Sequence, residues 1–272
     1  IVRNGDASDP ADESPVAPAT VDTGPPSTEE APFVGGWQST DTDGSPDLMR
    51  EVLGGGSGGR YYADGEDTIH VVPDSRNLPT EFSESRFPFV VERLGLAIDS
   101  GGAGRFRGGL GYEKHIRVLR DAFFMSIADR SILSCWGVRG GRAGRPFSVT
   151  IDPGGPAERD VDALADAEPV RAGEVLRSRT PGGRGRGDPV DRPYADVLRD
   201  LRWRKVSKEG AAADYGVVVT GAIDEADVDE PASDARRARS RSARTGDEVF
   251  FDRGPDYARL ARGTTAATVD WL

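Results

Sequence analysis

The chain contains 272 residues with a formal net charge of -11, one cysteine and two histidines. This length allows one large domain or two modest ones, and the acidic balance makes nucleic acid a poor partner. No apolar run approaches the roughly 20 residues of a membrane span, and the N-terminus has no signal pattern. A single cysteine excludes an intrachain disulfide. The composition therefore predicts a soluble, cytoplasmic protein.

The N-terminal residues 1–35 are rich in Asp, Glu, Pro, Ser and Thr and contain few large apolar side chains. Such a segment buries too little surface to offset the entropy of the chain. We predict a disordered, acidic linker over residues 1–35. One domain is predicted over residues 36–272.

A first glycine run covers Gly54–Gly56, Gly58 and Gly59. It resembles a phosphate-binding loop in composition, but no Lys-Ser or Lys-Thr pair follows it. A P-loop needs that pair for phosphate and magnesium, so the run is not interpreted as one.

Two carboxylates and an arginine stand close together at Glu81, Glu84 and Arg86. If this segment is extended, Glu81 and Glu84 point to opposite faces of it. A carboxylate buried beside Arg86 would stay ionised and could orient an amide or accept a proton. The alternative is that both carboxylates only form salt bridges that fix the strand.

The stretch Asp99–Gly111 holds six glycines and two arginines, Arg105 and Arg107. Glycine lets a backbone approach another chain or an anionic ligand closely, and arginine binds carboxylate or phosphate oxygens through a planar fork. Asp99 and Ser100 lack a nearby histidine and a GxSxG motif, which weakens a nucleophile assignment. Backbone N–H groups of the glycines could instead stabilise an oxyanion. The alternative is a simple turn with solvated arginines.

Short apolar runs that alternate with turn residues predict a β-rich α+β fold of mostly antiparallel strands, a few short helices and glycine-rich loops. Cys135 is predicted to be a small buried residue rather than a nucleophile. The predicted strands are Phe87–Ile98, Ile116–Leu119, Phe123–Leu133, Phe147–Ile151, Glu174–Arg179, Tyr215–Ile223 and Thr268–Leu272.

Two helices are predicted in the second half of the chain. Over Asp191–Trp203, Val197, Leu198 and Leu201 share an apolar stripe, and Ser207 is a suitable N-cap for a helix over Ser207–Asp214. An acidic block and an arginine block follow within residues 224–248. Because blocks of like charge without apolar spacing do not pack, we predict a surface insertion there. Anion binding by the arginine half is the alternative.

Two blocks of the sequence carry a resemblance to a known family. The run NLPTEFSESRFPFVVERLGLAIDSGGAGRFRGGLGYEK, Asn77–Lys114, resembles the signature of the hydantoinase B family, which includes oxoprolinases and acetone carboxylase subunits. The block TPGGRGRGDPVDRPYADVLRDLRWRKVSKEGAAADYGVVV, Thr180–Val219, resembles the glycine-rich block of the same family. Members are about twice as long, so the resemblance implies the C-terminal part of a larger subunit.

The resemblance implies ATP-dependent opening of a cyclic amide such as a hydantoin or 5-oxoproline. ATP with Mg²⁺ would bind a hydantoinase A type ATPase subunit, which makes a hetero-oligomer the expected assembly. Two alternatives stay open, namely a subunit of an ATP-dependent ketone carboxylase and a non-catalytic scaffold. A divalent metal is expected only in an N-terminal half that this sequence does not contain, and His70 and His115 are expected to be structural or surface residues.

Residue by residue, we predict Glu81, Glu84 and Asp99 as catalytic. Arg184 and Arg186 interrupt a run that is usually all glycine in the family, which brings substrate preference and activity into question. The predicted substrate-binding residues are Asn77, Arg86, Ser100, Gly101, Gly102, Arg107, Gly108, Gly109, Gly182 and Gly183.

Overall fold

The computed structural model describes residues 33–40, 44–70, 77–243, 251–254 and 256–257. Its strands are β1 Phe33–Thr40, β2 Pro46–Leu53, β3 Phe89–Leu96, β4 Tyr112–Val118, β5 Ala122–Ala128, β6 Gly137–Val138, β7 Ser148–Ile151, β8 Arg159–Val161, β9 Leu164–Val170, β10 Val175–Arg179, β11 Val219–Thr220, β12 Asp227–Val228 and β13 Phe251–Asp252. Its helices are α1 Thr80–Arg86, α2 Tyr194–Arg202, α3 Lys208–Ala213 and α4 Glu230–Ser242.

Two antiparallel sheets pack face to face as a sandwich. One sheet has the order β2-β1-β5-β9, and the other has the order β3-β4-β10-β7-β8. Burial alternates with period two along β4 and β5, because successive side chains of a strand point to opposite faces. The short pairs β11-β12 and β13-β6 lie outside the sandwich. The predicted β-rich, antiparallel fold class is confirmed.

Apolar side chains from both sheets form the core of the sandwich. The Trp37 ring lies 5.1 Å from the Phe124 ring and 6.5 Å from the Phe89 ring, so it joins the two sheets. Between the sheets, Lys114 Nζ lies 2.5 Å from Glu51 Oε2 in a buried ion pair. Burying both charges together avoids leaving either one unpaired in the interior.

A second, smaller apolar cluster holds α2 and α3 against the loop that follows them. Val197 and Leu201 are buried on α2, as the predicted stripe requires. Ser207 Oγ accepts a hydrogen bond from Gly210 N and caps α3, as predicted. None of the helices that the structure describes is long and apolar enough to cross a membrane.

Several predicted boundaries are wrong. The strand expected over 123–133 ends at Ala128, since Arg130 has a φ of 61° and turns the chain. The strand expected over 215–223 shrinks to β11, because Gly216 and Gly221 have positive φ and break the extended path.

The charged segment also differs from its prediction, because its arginine half forms α4 and buries Ser233 and Arg237. The expectation that these charge blocks do not pack is therefore wrong for residues 230–242. The predicted linker up to residue 32 and the strand over 268–272 lie outside the described residues.

Candidate functional site

Four glycine-rich segments, none of them a long strand or a helix, pack against one another beside the sandwich. We call residues 54–59, 101–109, 137–144 and 182–187 the glycine core. Their backbones are joined by hydrogen bonds between segments, such as Gly59 N to Arg184 O at 2.7 Å and Arg142 N to Ala103 O at 2.7 Å. The two sequence blocks that carry the family resemblance therefore meet here.

Close backbone contact explains why these segments need glycine. A Cβ on Gly56 would lie 1.9 Å from Gly109 O, and a Cβ on Gly182 would lie 1.9 Å from Ser100 O. Neither distance is sterically possible, and the obstacle in each case is backbone that cannot rotate away. The close approach predicted for the glycine stretch is thus an approach to other segments of the chain itself.

The predicted oxyanion role of the glycine N–H groups is not supported by their hydrogen bonds. Gly102 N donates to Gly183 O at 2.8 Å, Gly108 N to Gly102 O at 2.9 Å, and Gly109 N to Ser57 O at 2.8 Å. A backbone N–H has a single proton to donate. These three donors are therefore used within the glycine core and do not face a ligand.

Arg184 and Arg186, which interrupt the second block, alternate with the buried Gly183 and Gly185. Both arginines are partly exposed, and Arg186 pairs with Phe106 through two backbone hydrogen bonds of 2.9 and 3.0 Å. The two arginines stand at positions where the glycine core has room for a side chain. The departure from an all-glycine run is therefore compatible with the packing.

A buried ion cluster fastens the glycine core to α2. Arg192 Nη2 donates to Asp64 Oδ2 at 2.6 Å and to Asp200 Oδ2 at 2.7 Å. Arg107 Nε lies 3.4 Å from the same Asp200 oxygen, and Lys205 Nζ lies 2.7 Å from Asp67 Oδ2. Both arginines are at most 2% exposed. The predicted substrate contact of Arg107 is replaced by a contact inside the protein.

The pKa values of Asp64 and Tyr215, which both lie beside Arg192, are shifted away from neutral pH. Burial raises the pKa of the Asp64 carboxyl, but the hydrogen bonds and charge of Arg192 outweigh burial and hold that pKa below its usual value. Burial also raises the pKa of the Tyr215 hydroxyl, beside which Arg192 lies 6.0 Å from the ring centre. Groups held in one ionisation state at neutral pH are suited to a structural role rather than to proton transfer.

Asp99 and Ser100 both act as backbone caps. Asp99 has a φ of 59°, and its Oδ1 accepts from Ser207 N at 2.8 Å at the start of α3. Ser100 is 3% exposed, and its Oγ accepts from Gly111 N at 3.0 Å. These contacts fix the path of the chain as it enters the glycine core.

A second carboxylate, Asp214 at the end of α3, lies in the electrostatic range of Asp99. Burial and the charge of Asp99 raise the pKa of the Asp214 carboxyl, while Arg142 and Arg145 lower it. Both arginines are exposed, and their backbones belong to or adjoin the glycine core. Two arginines beside a carboxyl group with a raised pKa can hold an anionic group while that carboxyl group exchanges a proton.

The predicted site residues Glu81, Glu84 and Arg86 lie on α1, outside the glycine core. The segment is helical rather than extended, so Glu81 and Glu84, three positions apart, share one side of the helix. Both are exposed with Arg86, and Glu84 Oε1 accepts from Val91 N at 2.7 Å. From Val91 the strand rises roughly 17 Å before it reaches the loop of Asp99. The structure thus does not bring Glu84 next to Asp99.

Asn77 is partly buried, and its Oδ1 has no hydrogen-bond partner among the described residues. His115 Nε2 lies 2.8 Å from Glu113 Oε1 on the outer face of the second sheet, and Cys135 is fully buried as predicted. Across the described ranges, no group of three or more His, Cys, Asp or Glu residues could hold a metal ion.

The sequence analysis assigned no role to five residues that the structure places in the ion cluster or near Asp99, namely Asp64, Asp67, Arg192, Lys205 and Asp214. One signal for the ion cluster was present, because Asp200 falls on the same helical stripe as Val197 and Leu201. An acid in a buried stripe requires a buried cation as partner.

Comparisons with known proteins agree with the family resemblance that the two sequence blocks carry. A family model described as hydantoinase B/oxoprolinase matches residues 14–189. The beta subunit of the caprolactamase of Pseudomonas jessenii is 36% identical over 170 residues, which cover 58% of this chain and 27% of the relative. The B-type subunit of a putative D-/L-hydantoinase of a Pseudomonas species is 30% identical over 175 residues, which cover 64% of this chain and 30% of the relative.

The fold also has a solved counterpart. The nucleotide-free structure of an acetone carboxylase matches 86% of this chain and 35% of its own, with a TM-score of 0.66 and 22% sequence identity. This likeness concerns the fold. The chain spans less than a third of the length of the two curated relatives named above.

Proposed function

The chain belongs to the hydantoinase B/oxoprolinase family, and we propose that it forms part of a subunit that opens cyclic amides at the expense of ATP. The observation that carries the proposal is the glycine core, in which both family blocks meet, together with the 36% identity to a caprolactamase subunit. The subunit would work in a hetero-oligomer with an ATPase-type partner of the hydantoinase A kind.

ATP would solve a specific chemical problem in such a reaction. The carbonyl carbon of an amide is a poor electrophile. Transfer of the γ-phosphoryl group of ATP to the amide oxygen makes this carbon reactive towards water. Water then adds to the carbon, the C–N bond breaks as nitrogen takes a proton, and a second water releases phosphate. The products are a ring-opened amino acid, ADP and phosphate. ATP and Mg²⁺ would be held by the partner, as the resemblance to the family implies.

Within this chain, Asp99 and Asp214 are the proposed groups for proton exchange. Burial and the charge of Asp99 raise the pKa of the Asp214 carboxyl above its usual value, which is the direction that favours a proton donor. Arg142 and Arg145 would orient the anionic group of the intermediate. The glycine core would act by holding these side chains rigidly rather than by touching substrate. Glu81, Glu84, Asn77 and Arg86 stay candidates for a second contact region around α1.

The test is ATP hydrolysis by the complete complex, assembled with its ATPase-type subunit and the remainder of this subunit. Hydantoins, 5-oxoproline, a lactam and acetone are supplied with and without bicarbonate. Turnover with a cyclic amide alone supports the proposal. Turnover that needs acetone and bicarbonate would move the protein to the carboxylases, and ATP hydrolysis indifferent to every substrate would favour the scaffold.

Matched variants locate the site. Asp99→Asn keeps an acceptor for Ser207 N, so the α3 cap survives while the negative charge is lost. We expect at least about a tenfold fall in kcat, within the range for loss of acid–base catalysis. Glu84→Gln likewise keeps an acceptor for Val91 N. If Glu84→Gln lowers kcat and Asp99→Asn does not, the chemistry lies at α1.

A further inference from the structure

A surface cleft of about 430 Å³ lies between the end of α3 and one side of α4. This volume falls within the roughly 300–1,000 Å³ typical of small-molecule sites. Its lining combines small residues with charged ones, among them Ala213, Asp214, Gly216, Arg236, Arg239 and Ser240. Of the residues proposed for the amide chemistry, Asp214 also lines this cleft, whereas the arginines of the cleft have no part in that chemistry.

The walls of the cleft are held firmly. Ser233 Oγ of α4 accepts from Val218 N at 2.9 Å, and the buried Arg237 donates to Tyr215 O at 3.0 Å and to Arg192 O at 2.7 Å. Gly216, with a φ of 64°, lets the α4 backbone come close, since a Cβ there would lie 3.0 Å from Arg237 Cγ. The helix therefore presents its remaining side chains in a fixed orientation.

Arg236 and Arg239 stand three positions apart, so they share one side of α4 and both line the cleft. Other arginines of the helix have partners, such as Arg241, whose Nη2 lies 2.9 Å from Asp191 Oδ1. In the part of the chain that the structure describes, the guanidinium groups of Arg236 and Arg239 make no hydrogen bond or ion pair. Two cations thus face a cavity without a protein counter-ion.

The lining carboxylate, Asp214, offsets these cations only in part. It is one acid against two arginines. The cleft is therefore positively charged in a chain whose net charge is -11. Guanidinium groups pair with carboxylate or phosphate oxygens through two parallel hydrogen bonds.

We propose that the cleft between α3 and α4 binds a small oxyanion, either a phosphate or the carboxylate of a small molecule, through Arg236 and Arg239. Ser240 supplies a hydroxyl donor at the same wall. The cleft shares Asp214 with the groups proposed for amide hydrolysis, but its two anion-binding side chains, Arg236 and Arg239, lie outside the glycine core.

Isothermal titration calorimetry of the full chain at low ionic strength tests the proposal with inorganic phosphate and with glutarate. Saturable binding of either anion supports it, and the anion that binds identifies the source. The double variant Arg236→Gln, Arg239→Gln should bind at least about tenfold more weakly, because it loses two charge-assisted contacts. The matched control, Arg50→Gln with Arg130→Gln, removes the same charge away from the cleft and should bind within about twofold of the parent chain.

A third variant should change the affinity for the anion in the opposite direction. Asp214→Asn removes the opposing carboxylate, so it should bind the anion more tightly at neutral pH. Arg236 and Arg239 are exposed. An unchanged thermal unfolding temperature of the variant that lacks both confirms that it folds. Absence of saturable binding by both anions would overturn the proposal. Equal weakening by the control variant would also overturn it, because binding would then follow net charge alone.

Discussion

The sandwich and the glycine core reach similar burial by opposite means. In the sandwich, side chains such as Trp37 and Phe124 fill the space between two sheets about 10 Å apart. In the glycine core, backbones approach so closely that a Cβ on Gly183 would lie 1.9 Å from Ser57 O. One region is held together by apolar side chains, and the other by hydrogen bonds between glycine-rich backbone segments.

This difference predicts different tolerance to substitution. Side chains in an apolar core can repack around a small change of volume, whereas a carbonyl of the glycine core cannot move without breaking its own hydrogen bond. The rigidity also has a functional consequence. The backbone N–H groups of Arg142 and Arg145 donate to the carbonyls of Ala103 and Ser100, so the backbone of both residues is held in place.

The largest expected effect is on a buried glycine. Gly182→Ala places a Cβ 1.9 Å from Ser100 O, and we expect it to lower the free energy of unfolding by roughly 4 kcal/mol or more. Gly95→Ala is the matched control, since a Cβ there meets nothing within 4 Å. It should be neutral or stabilise by up to about 1 kcal/mol. Urea unfolding gives the free energy of unfolding of both variants. Equal values for the two would contradict the close packing of the glycine core.

The next effect concerns the ion cluster that joins the glycine core to α2. Arg192→Met leaves Asp200, which is 2% exposed, without its closest cation. Breaking such a buried pair costs roughly 3–5 kcal/mol. The exposed Arg199, paired with Asp196 at 2.7 Å, gives the control Arg199→Met, with an expected cost below about 1 kcal/mol. Similar losses in both variants would show that the cluster is solvated.

Acid should weaken the same cluster. The pKa of Asp64 is lower in the folded chain than its unfolded value of roughly 3.9. Asp64 therefore contributes stability that is present above that value and is lost as pH falls through the folded pKa. Asp64→Asn should make the free energy of unfolding depend less on pH in acid. The difference in this free energy between the two chains therefore shrinks below about pH 4. Parallel curves from pH 7 to pH 2.5 would contradict this assignment.

The smallest effect is expected inside the sandwich. Ile151 is fully buried in β7, and Ile151→Val removes one methylene and leaves neighbours that can partly close the gap. We expect a loss of about 0.5–1.5 kcal/mol in urea unfolding. A loss as large as that of Gly182→Ala would remove the contrast between the two regions.

The sequence was sufficient for those elements whose signals are local. Alternating apolar residues located β3, β7 and β10, and Ser207 located the start of α3. The helix α4 was missed because its packing depends on contacts that are distant in the sequence, such as those of the buried Arg237 with carbonyls 22 and 45 positions away in the chain.

The candidate site was harder to predict for the same reason. The stretch around Asp99 was found from its glycines, but the partner of Asp99, Asp214, lies 115 residues later and carries no motif. Glycine-rich segments also read alike whether they contact a ligand or each other. Hydrogen bonds such as Gly102 N to Gly183 O and Gly109 N to Ser57 O show that these segments contact each other.

The most direct test of this account is amide hydrogen exchange followed by mass spectrometry on peptides that cover residues 99–111 and 181–187. If the glycine core is a packed lattice, the amides of Gly102, Gly109 and Gly183, which donate to carbonyls at 2.8 to 2.9 Å, should exchange as slowly as those of β4 and β10. Exchange of these peptides as fast as an exposed loop would contradict the account and return the glycine stretches to the role of open, ligand-facing loops.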